Sequence, residues 1–369
     1  MVKLLPIRRW SWHDAVPGWM MGDWIKPMRR MGRWLVQVLV MLLVAAVALW
    51  GAGVLHFHLS GIAGGLLLLC WSALSVGLLL ALAGASQRWQ GRLGLVFMLG
   101  LLALGIGWNQ ITPAQDRAWA DDVARRLQVR SFDGRHVVLD NVRNFTWRSE
   151  QDYDIAWEQR RYDLDQLRSA DVLLSYWMGP VIAHTLVSFG FADGRQLVFS
   201  LEIRKEQGES FDALAGFFRR YEMTLVAADE RDIVATRTNA RGEEVYLYRV
   251  SGLRGKALRD LFVAYLRKAQ ELDRQPAFYN SLTSNCTTIV WALARSINAD
   301  LPLDWRLLAS GYLAGYLQQL GALAPGHEQA ELQQRGRITQ RARADGGSTL
   351  FSQRIRQGVP GIDQGETDE

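Results

Sequence analysis

Between Arg33 and Arg88 the chain runs for 54 residues without a lysine, arginine, aspartate or glutamate. A bilayer core takes roughly 20 apolar residues in a helix, so this run has the length of two crossings. Residues 34–55 and 61–85 read as those spans, and a shorter apolar stretch, 93–111, reads as a third. A buried soluble helix is a poor alternative, because it would carry charge on its solvent face. A cleaved signal peptide also fits poorly. Ala83-Gly84-Ala85 mimics a cleavage site, but two spans precede it where a signal peptide has one short apolar core.

The short loops set the orientation. Residues 1–33 carry Lys3, Arg8, Arg9, Lys26, Arg29, Arg30 and Arg33 against Asp14 and Asp23. The second loop carries Arg88 and Arg92, and the first, His56 to Ser60, has no lysine or arginine. By the positive-inside rule the N-terminus is cytoplasmic and the chain emerges outside after three crossings. Trp10, Trp12, Trp19, Trp24 and Trp34 suit a basic, aromatic segment at the inner interface. The net charge of +5 is therefore topological, and residues from 113 onward carry −2. It does not point to a nucleic-acid partner, and no zinc-finger or aromatic-basic motif occurs.

Residues 113–360 are long enough for one exterior domain with its own core, and 361–369 read as a disordered polar tail. The pattern is α+β. "RHVVLDNVRNFTW" and "EEVYLYRV" alternate like strands, and "VIAHTLVSFGFADGRQLVFSLEIR" reads as a hairpin. Residues 253–273, 286–297 and 305–320 have helical periodicity.

This domain holds one cysteine, Cys286, because Cys70 lies within the second span. A leftover thiol in an oxidising compartment is either reactive, paired between molecules, or a small buried hydrophobe. Its position favours reactivity. Ser284 or Asn285 can cap a helix whose buried stripe is Ile289, Val290, Leu293 and Ile297. Cys286 then falls in the first turn, where the helix dipole favours a thiolate, and not in the stripe.

A thiol nucleophile needs a base, and the domain offers His136, His184 and His327. His136 and His327 lie in polar, turn-like surroundings, whereas His184 sits mid-strand. "FADGR" fits a three-residue hairpin loop with Gly194 left-handed, which sets Phe191 against Arg195 and Glu202 opposite His184. His184, Ser188, Ser200, Glu202 and Arg204 then share one face, with Ala183, Thr185, Val187, Phe189, Phe199, Leu201 and Ile203 on the other. A register slipped by one residue would push Glu202 among the apolar side chains. Glu202 is thus a candidate third member that orients the imidazole. The competing reading is an ordinary surface pair between Glu202 and Arg204. Asn280, Asn285 and Tyr176, with the Cys286 amide, are candidates for an oxyanion hole or substrate positioning.

"SNCTTIV" opening a helix about a hundred residues after a strand histidine resembles the permuted papain-like group, which includes lecithin:retinol acyltransferase. The runs "NVRNFTWRS", "AHTLVSFGFADG", "FSLEIRKEQGESF", "ADERDIV", "FYNSLTSNCTT" and "FSQRIRQG" together resemble the Lnb periplasmic-domain family over roughly residues 115–357. That resemblance implies that the three transmembrane helices read from hydropathy are followed by a permuted papain-like (NlpC/P60-like) thiol-enzyme domain, with Cys286 and His184 catalytic. It also implies a lipoprotein N-acyltransferase of the bacterial inner membrane with its catalytic domain in the periplasm. Membrane phospholipid would be the acyl donor and a diacylated lipoprotein the acceptor, with no cofactor and no metal. The same dyad suits a cysteine peptidase or amidase acting on cell-wall peptide. A non-catalytic membrane scaffold is the reading from a different class.

Overall fold

The computed structural model describes residues 18–362, with side chains from Arg30 onward. The chain divides between Thr112 and Pro113 into two compact units.

In the first unit, α1 (Gly18–His58), α2 (Gly61–Gly84) and α3 (Gln87–Gln110) follow one another with short connections. The segments Arg30–His58, Gly61–Gly84 and Gln87–Gln110 are each long and apolar enough to cross a membrane. They pack around Trp71, whose ring stacks on Phe97 at 4.8 Å and whose Nε1 donates to the Ala48 carbonyl at 2.8 Å. Gly51 has no room for more, since a Cβ there would stand 2.7 Å from the Trp71 ring. The third helix starts before residue 93 and takes in Arg88 and Arg92, with Arg92 lying 5.7 Å from the centroid of Trp89. Long cationic side chains can lead back to a polar surface from the end of a span, so they do not interrupt the helix. The interfacial tryptophans expected at positions 10, 12, 19 and 24 lie outside the residues with described side chains.

The second unit is α+β. Its strands are β1 (Gln128–Phe132), β2 (His136–Arg143), β3 (Thr146–Trp147), β4 (Tyr153–Asp154), β5 (Trp157–Asp163), β6 (Leu167–Tyr176), β7 (Ala183–Phe191), β8 (Gln196–Arg204), β9 (Glu222–Ala228) and β10 (Glu244–Arg249). Its helices are α4 (Glu230–Ala235), α5 (Gly255–Arg274), α6 (Cys286–Arg295), α7 (Leu313–Gln319), α8 (Gln329–Gly336), α9 (Thr339–Asp345) and α10 (Phe351–Arg356). Eight strands form one sheet in the order β1-β2-β9-β8-β7-β6-β10, with β5 also on β2, while β3 and β4 pair separately. Among the described residues, only β2 and β9 run parallel.

The β7–β8 hairpin has the expected register. Phe191 N–H donates to the Arg195 carbonyl at 3.0 Å, Gly194 has φ +81°, and Leu186 pairs with Ser200. One face meets α5, whose Phe262 and Tyr265 close on Phe189 and Phe199 at centroid distances of 4.9–5.6 Å. The other face, which the alternation marks as polar, is covered as well. Leu173, Leu186 and Val198 form a core there with Ile233 of α4, Ala342 of α9 and Ile355 of α10.

Charges beneath those helices are paired. Arg143 forks onto Asp232 at 2.8 and 3.0 Å, and Asp232 also accepts from Phe145 N–H and Trp147 Nε1. Arg356 donates to Glu230 at 2.6 Å and to Asp171 at 2.8 and 3.0 Å, where both carboxylates are fully buried.

Two expectations change. Residues 305–320 are not one helix: short turns at Trp305–Leu307 and Ser310–Tyr312 precede α7. Ser310 Oγ bridges the amide and carbonyl of Ala183, and Gly311 N–H donates to the Val181 carbonyl at 2.9 Å. A Cβ on Gly311 would stand 2.0 Å from the Pro180 carbonyl oxygen, so the backbones meet only because this residue is glycine. At the C-terminus, Ile362 still packs against the core, and residues 363–369 lie outside the described residues.

Removing Arg356 leaves buried Glu230 without a cation and Asp171 with Arg249 alone, and breaking a buried pair from one side costs about 3–5 kcal/mol. Arg356→Ala should therefore lower the unfolding free energy of the detergent-solubilised chain by about that much, measured by denaturant titration. Arg148→Ala, which breaks an exposed pair with Asp152 and Asp154, should cost under about 1 kcal/mol. Equal effects would show that the Arg356 cluster contributes no more than surface pairs do.

Candidate thiol site

The loop before α6 is built by its asparagines. Asn280 Oδ1 accepts from the amides of Leu282 and Thr283, and its backbone pairs with Ser284. Asn285 is the N-cap: its Oδ1 accepts from the amides of Thr287 and Thr288 at 2.9 Å, and Thr288 Oγ1 returns the bond to the Asn285 amide. Such reciprocal capping satisfies donors that a helix terminus leaves open. Cys286 becomes the first helical residue, with only 8% of its surface exposed. Thr287 ties this turn to β7 through a 2.8 Å contact between its hydroxyl and that of Thr185. The apolar stripe expected to be buried, Ile289, Val290, Leu293 and Ile297, is only half-buried.

His184, near the start of β7, is buried beside this turn, where its charge acts on the thiol. Its Nε2 lies 2.7 Å from Ser200 Oγ and 3.2 Å from Glu202 Oε1. Ser200 itself donates to Glu202 Oε1 at 2.6 Å, so its oxygen is free to accept from Nε2–H. With Nε2 so engaged, Nδ1 is the nitrogen left for the thiol. Glu202 Oε1 also accepts from Arg237 Nη2 at 2.8 Å. Arg237 is carried on a π-helical turn, Thr236–Ala240, after α4, and it pairs with Glu243 at 3.3 Å. Glu243 in turn accepts from Ser175.

The charges follow from this packing. Burial alone would push the His184 imidazolium down, but the Glu202 carboxylate outweighs it and the pKa rises to about 9. Burial pushes the Cys286 thiol up, and the His184 charge and hydrogen bond reverse this, aided by the Thr185 amide and Thr287 hydroxyl, so the pKa falls below that of an ordinary thiol. Glu202 is held well below the usual carboxylate range: His184, Arg237 and Ser200 overcome its desolvation. Both shifts favour a thiolate beside an imidazolium. Such a pair suits nucleophilic attack on an acyl carbonyl, with the imidazolium as proton donor to the leaving group.

Cys286, His184 and Glu202 are thus brought together. The competing surface pair of Glu202 with Arg204 does not form: Arg204 donates to the carbonyls of Val123 and Ala124 and lies over the Trp119 ring at 4.5 Å. The three proposed positioning residues are otherwise engaged. Both ends of the Asn285 amide are bonded, its Nδ2 to the Ser281 carbonyl. The Asn280 oxygen caps its own loop. The Tyr176 hydroxyl donates to the Gly311 carbonyl at 2.6 Å. His136 and His327 pair with Asp133 and Glu331, away from the thiol. Ser200 and Arg237 were not anticipated in this site, nor was Tyr279, a buried phenol whose pKa rises through burial and the nearby Cys286 and Glu202 charges. Tyr279 stands within the cysteine motif and could have been flagged by proximity. Arg237 carries no local signal, because its run "ATRTNARGEE" reads as a polar loop.

Residues 153–311 match the model of the Lnb N-terminal periplasmic domain family. The match contains Cys286, His184, Glu202, Ser200, Arg237 and Tyr279, and leaves out the flanking runs "NVRNFTWRS" up to residue 149 and "FSQRIRQG". No curated protein and no solved structure matches the chain.

The alkylation rate of Cys286 should remain high at neutral pH and fall only as pH drops through the depressed thiol pKa. In His184→Gln the thiol loses its counter-charge while its burial remains, so its pKa rises and the rate at pH 7 drops about 10-fold or more. Glu202 raises the His184 pKa, so Glu202→Gln lowers it and depopulates the imidazolium at pH 7. That variant should fall between wild type and His184→Gln in alkylation, with turnover ~10-fold lower. Iodoacetamide kinetics across pH measure all three proteins, and coincident profiles would refute the ion pair.

Proposed function

We propose that this chain, with residues 153–311 matching the Lnb N-terminal periplasmic domain model and three helices long and apolar enough to cross a membrane, is a membrane-anchored thiol acyltransferase of the lipoprotein N-acyltransferase type. The observation that carries the reading is the Cys286–His184 pair, backed by Glu202, in a domain joined directly to three apolar helices. The Cys286 thiolate attacks the ester carbonyl of a phospholipid. Collapse of the tetrahedral intermediate forms a thioester and expels a lysophospholipid alkoxide, which takes its proton from His184. The α-amine of a diacylglyceryl-modified lipoprotein cysteine then attacks the thioester. Its proton passes to His184, the thiolate leaves, and an N-acyl amide remains. Splitting the transfer in two lowers each barrier.

Two features of the site support this sequence. The Cys286 amide belongs to the first helical turn, where no intrahelical acceptor exists, so it can face a developing oxyanion. The Tyr279 phenol is near enough to Cys286 for the thiolate charge to raise its pKa, so it stays a neutral donor. Because donor and acceptor are both lipids, tethering the domain to their bilayer raises their effective concentration. In this reading the N-terminus is cytoplasmic and the membrane is the bacterial inner membrane.

Incubation with phospholipid vesicles should leave a fatty acyl thioester on Cys286, detected by mass spectrometry of the intact chain and removed by hydroxylamine. Lipoprotein N-termini from cells that depend on this protein should be triacylated, and Cys286→Ala should abolish that acylation. Unchanged triacylation in Cys286→Ala would sink the reading, and a peptidyl adduct on Cys286 would replace it with peptidase or amidase chemistry.

A further inference from the structure

Exposed large apolar side chains of the second unit are concentrated in one place. Among the described residues, only Phe132, Ile155 and Leu350 lie outside four loops. The loop between β6 and β7 exposes Trp177, Met178 and Val181. The segment after β8 exposes Phe211, Leu214 (65%) and Phe217. The loop before α6 exposes Leu282, and the segment before α7 exposes Leu303 (76%), Trp305 and Tyr312.

These loops touch one another around the thiol. Trp177 meets Phe211 edge-on at 6.2 Å, and Phe211 meets Tyr279 at the same distance. Ser281 Oγ donates to the Ala213 carbonyl at 2.8 Å, which joins the second loop to the turn that leads into Cys286. Gly311 N–H to Val181, and Ser310 to Ala183, join the fourth loop to the residues just before His184. The rim is also nearly free of unsatisfied charge. Residues 177–182 and 278–285 contain no charged side chain. Asp212 accepts the amides of Leu214 and Ala215, and Asp304 pairs with Arg306 at 2.8 Å.

An apolar ring of this kind marks an interaction surface. Its occupant is indicated by covalent structure and by composition. The third span ends at Gln110 and the domain begins at Pro113, so Ile111 and Thr112 alone join them. A bilayer surface is thus the apolar phase permanently within reach. Tryptophan and tyrosine set among aliphatic side chains are the residues that favour a membrane interface. We propose that the rim formed by residues 177–181, 211–217, 282 and 303–312 inserts into the bilayer surface and opens the Cys286 site toward the lipid. This deepens the acyl-transfer reading and rests on it only for the identity of the donor.

The test uses the full chain with Cys70→Ala and Cys286→Ser, carrying one environment-sensitive fluorophore at Leu214→Cys or Leu303→Cys, or at Ile155→Cys or Leu350→Cys as controls. It is reconstituted in phosphatidylethanolamine–phosphatidylglycerol vesicles whose acyl chains are either native or brominated. Brominated chains should quench positions 214 and 303 and spare 155 and 350. Quenching at none of the four, or equally at all, overturns the proposal. Blue-shifted emission at 214 and 303 without bromine quenching also overturns it, because a second copy or another protein then covers the rim. In the otherwise native chain, Leu214→Asp and Leu303→Asp should each slow acylation of Cys286 by vesicle phospholipid ~10-fold, as loss of one buried side chain implies. Alkylation of Cys286 by iodoacetamide should stay unchanged in both, which shows that the site is intact. Quenched probes with no acyl chain ever found on Cys286 would remove the acyl-transfer reading and leave insertion standing. An acylated Cys286 with unquenched probes would do the reverse.

Discussion

A sheet covered on both faces has no water for its charged side chains, so every charge within it must find a partner in the protein. That constraint organises this domain. Arg143 with Asp232, and Arg356 with Glu230 and Asp171, are closed clusters in which each carboxylate is met by a guanidinium fork and further donors. The third cluster, Arg237 with Glu202 and Glu243, differs in one respect. The Glu202 oxygen that meets Arg237 also faces His184, and 19% of the Glu202 side chain remains exposed. The packing rule that fixes the fold thus also supplies the carboxylate behind the base.

The runs that resemble the Lnb family divide along the same line. "NVRNFTWRS" and "ADERDIV" lie far apart in sequence but meet at Asp232, which accepts from Arg143, Phe145 and Trp147 together. "FSQRIRQG" contributes Arg356 to the buried carboxylates Glu230 and Asp171. These residues hold the layers over the sheet and do not approach the thiol. "AHTLVSFGFADG", "FSLEIRKE" and "SNCTTIV" instead supply His184, Glu202 and Cys286. A motif on its own does not say which of the two kinds it is, and the contacts do.

What was legible in the sequence was local. The Ala-Asp-Gly turn fixes the β7–β8 register, and the register alone carries Glu202 to His184, because a left-handed Gly194 leaves few ways to close the hairpin. Asn285 as cap and Cys286 as first residue follow from helix-terminus chemistry in the same way. What was not legible depends on distant contacts. The polar alternation of β7 and β8 suggests a solvated face, yet Ser188 and Ser200 are buried there because the C-terminal helices cover them. Arg237 reaches Glu202 only through tertiary packing of a π-helical turn. The continuous helix read over 305–320 breaks where Ser310 and Gly311 are drawn onto the start of β7, a demand invisible to periodicity.

The helix terminus alone is insufficient to activate the thiol. A charge at a helix end gains about 0.3–1 kcal/mol, which is under one pKa unit at about 1.4 kcal/mol per unit. Burial opposes it, and desolvation can raise a thiol by several units. The amides of Thr287 and Thr288 are moreover already bonded to Asn285, so the terminus has fewer donors to offer. The imidazolium must therefore do most of the stabilising, and it is an imidazolium only because Glu202 stands against it. Glu202 in turn stays ionised in its largely buried position because His184, Arg237 and Ser200 all face it. Nucleophile, base and carboxylate are in this sense one electrostatic unit, and the residue that anchors it from behind, Arg237, lies nearly fifty positions upstream of the cysteine on a turn with no motif of its own.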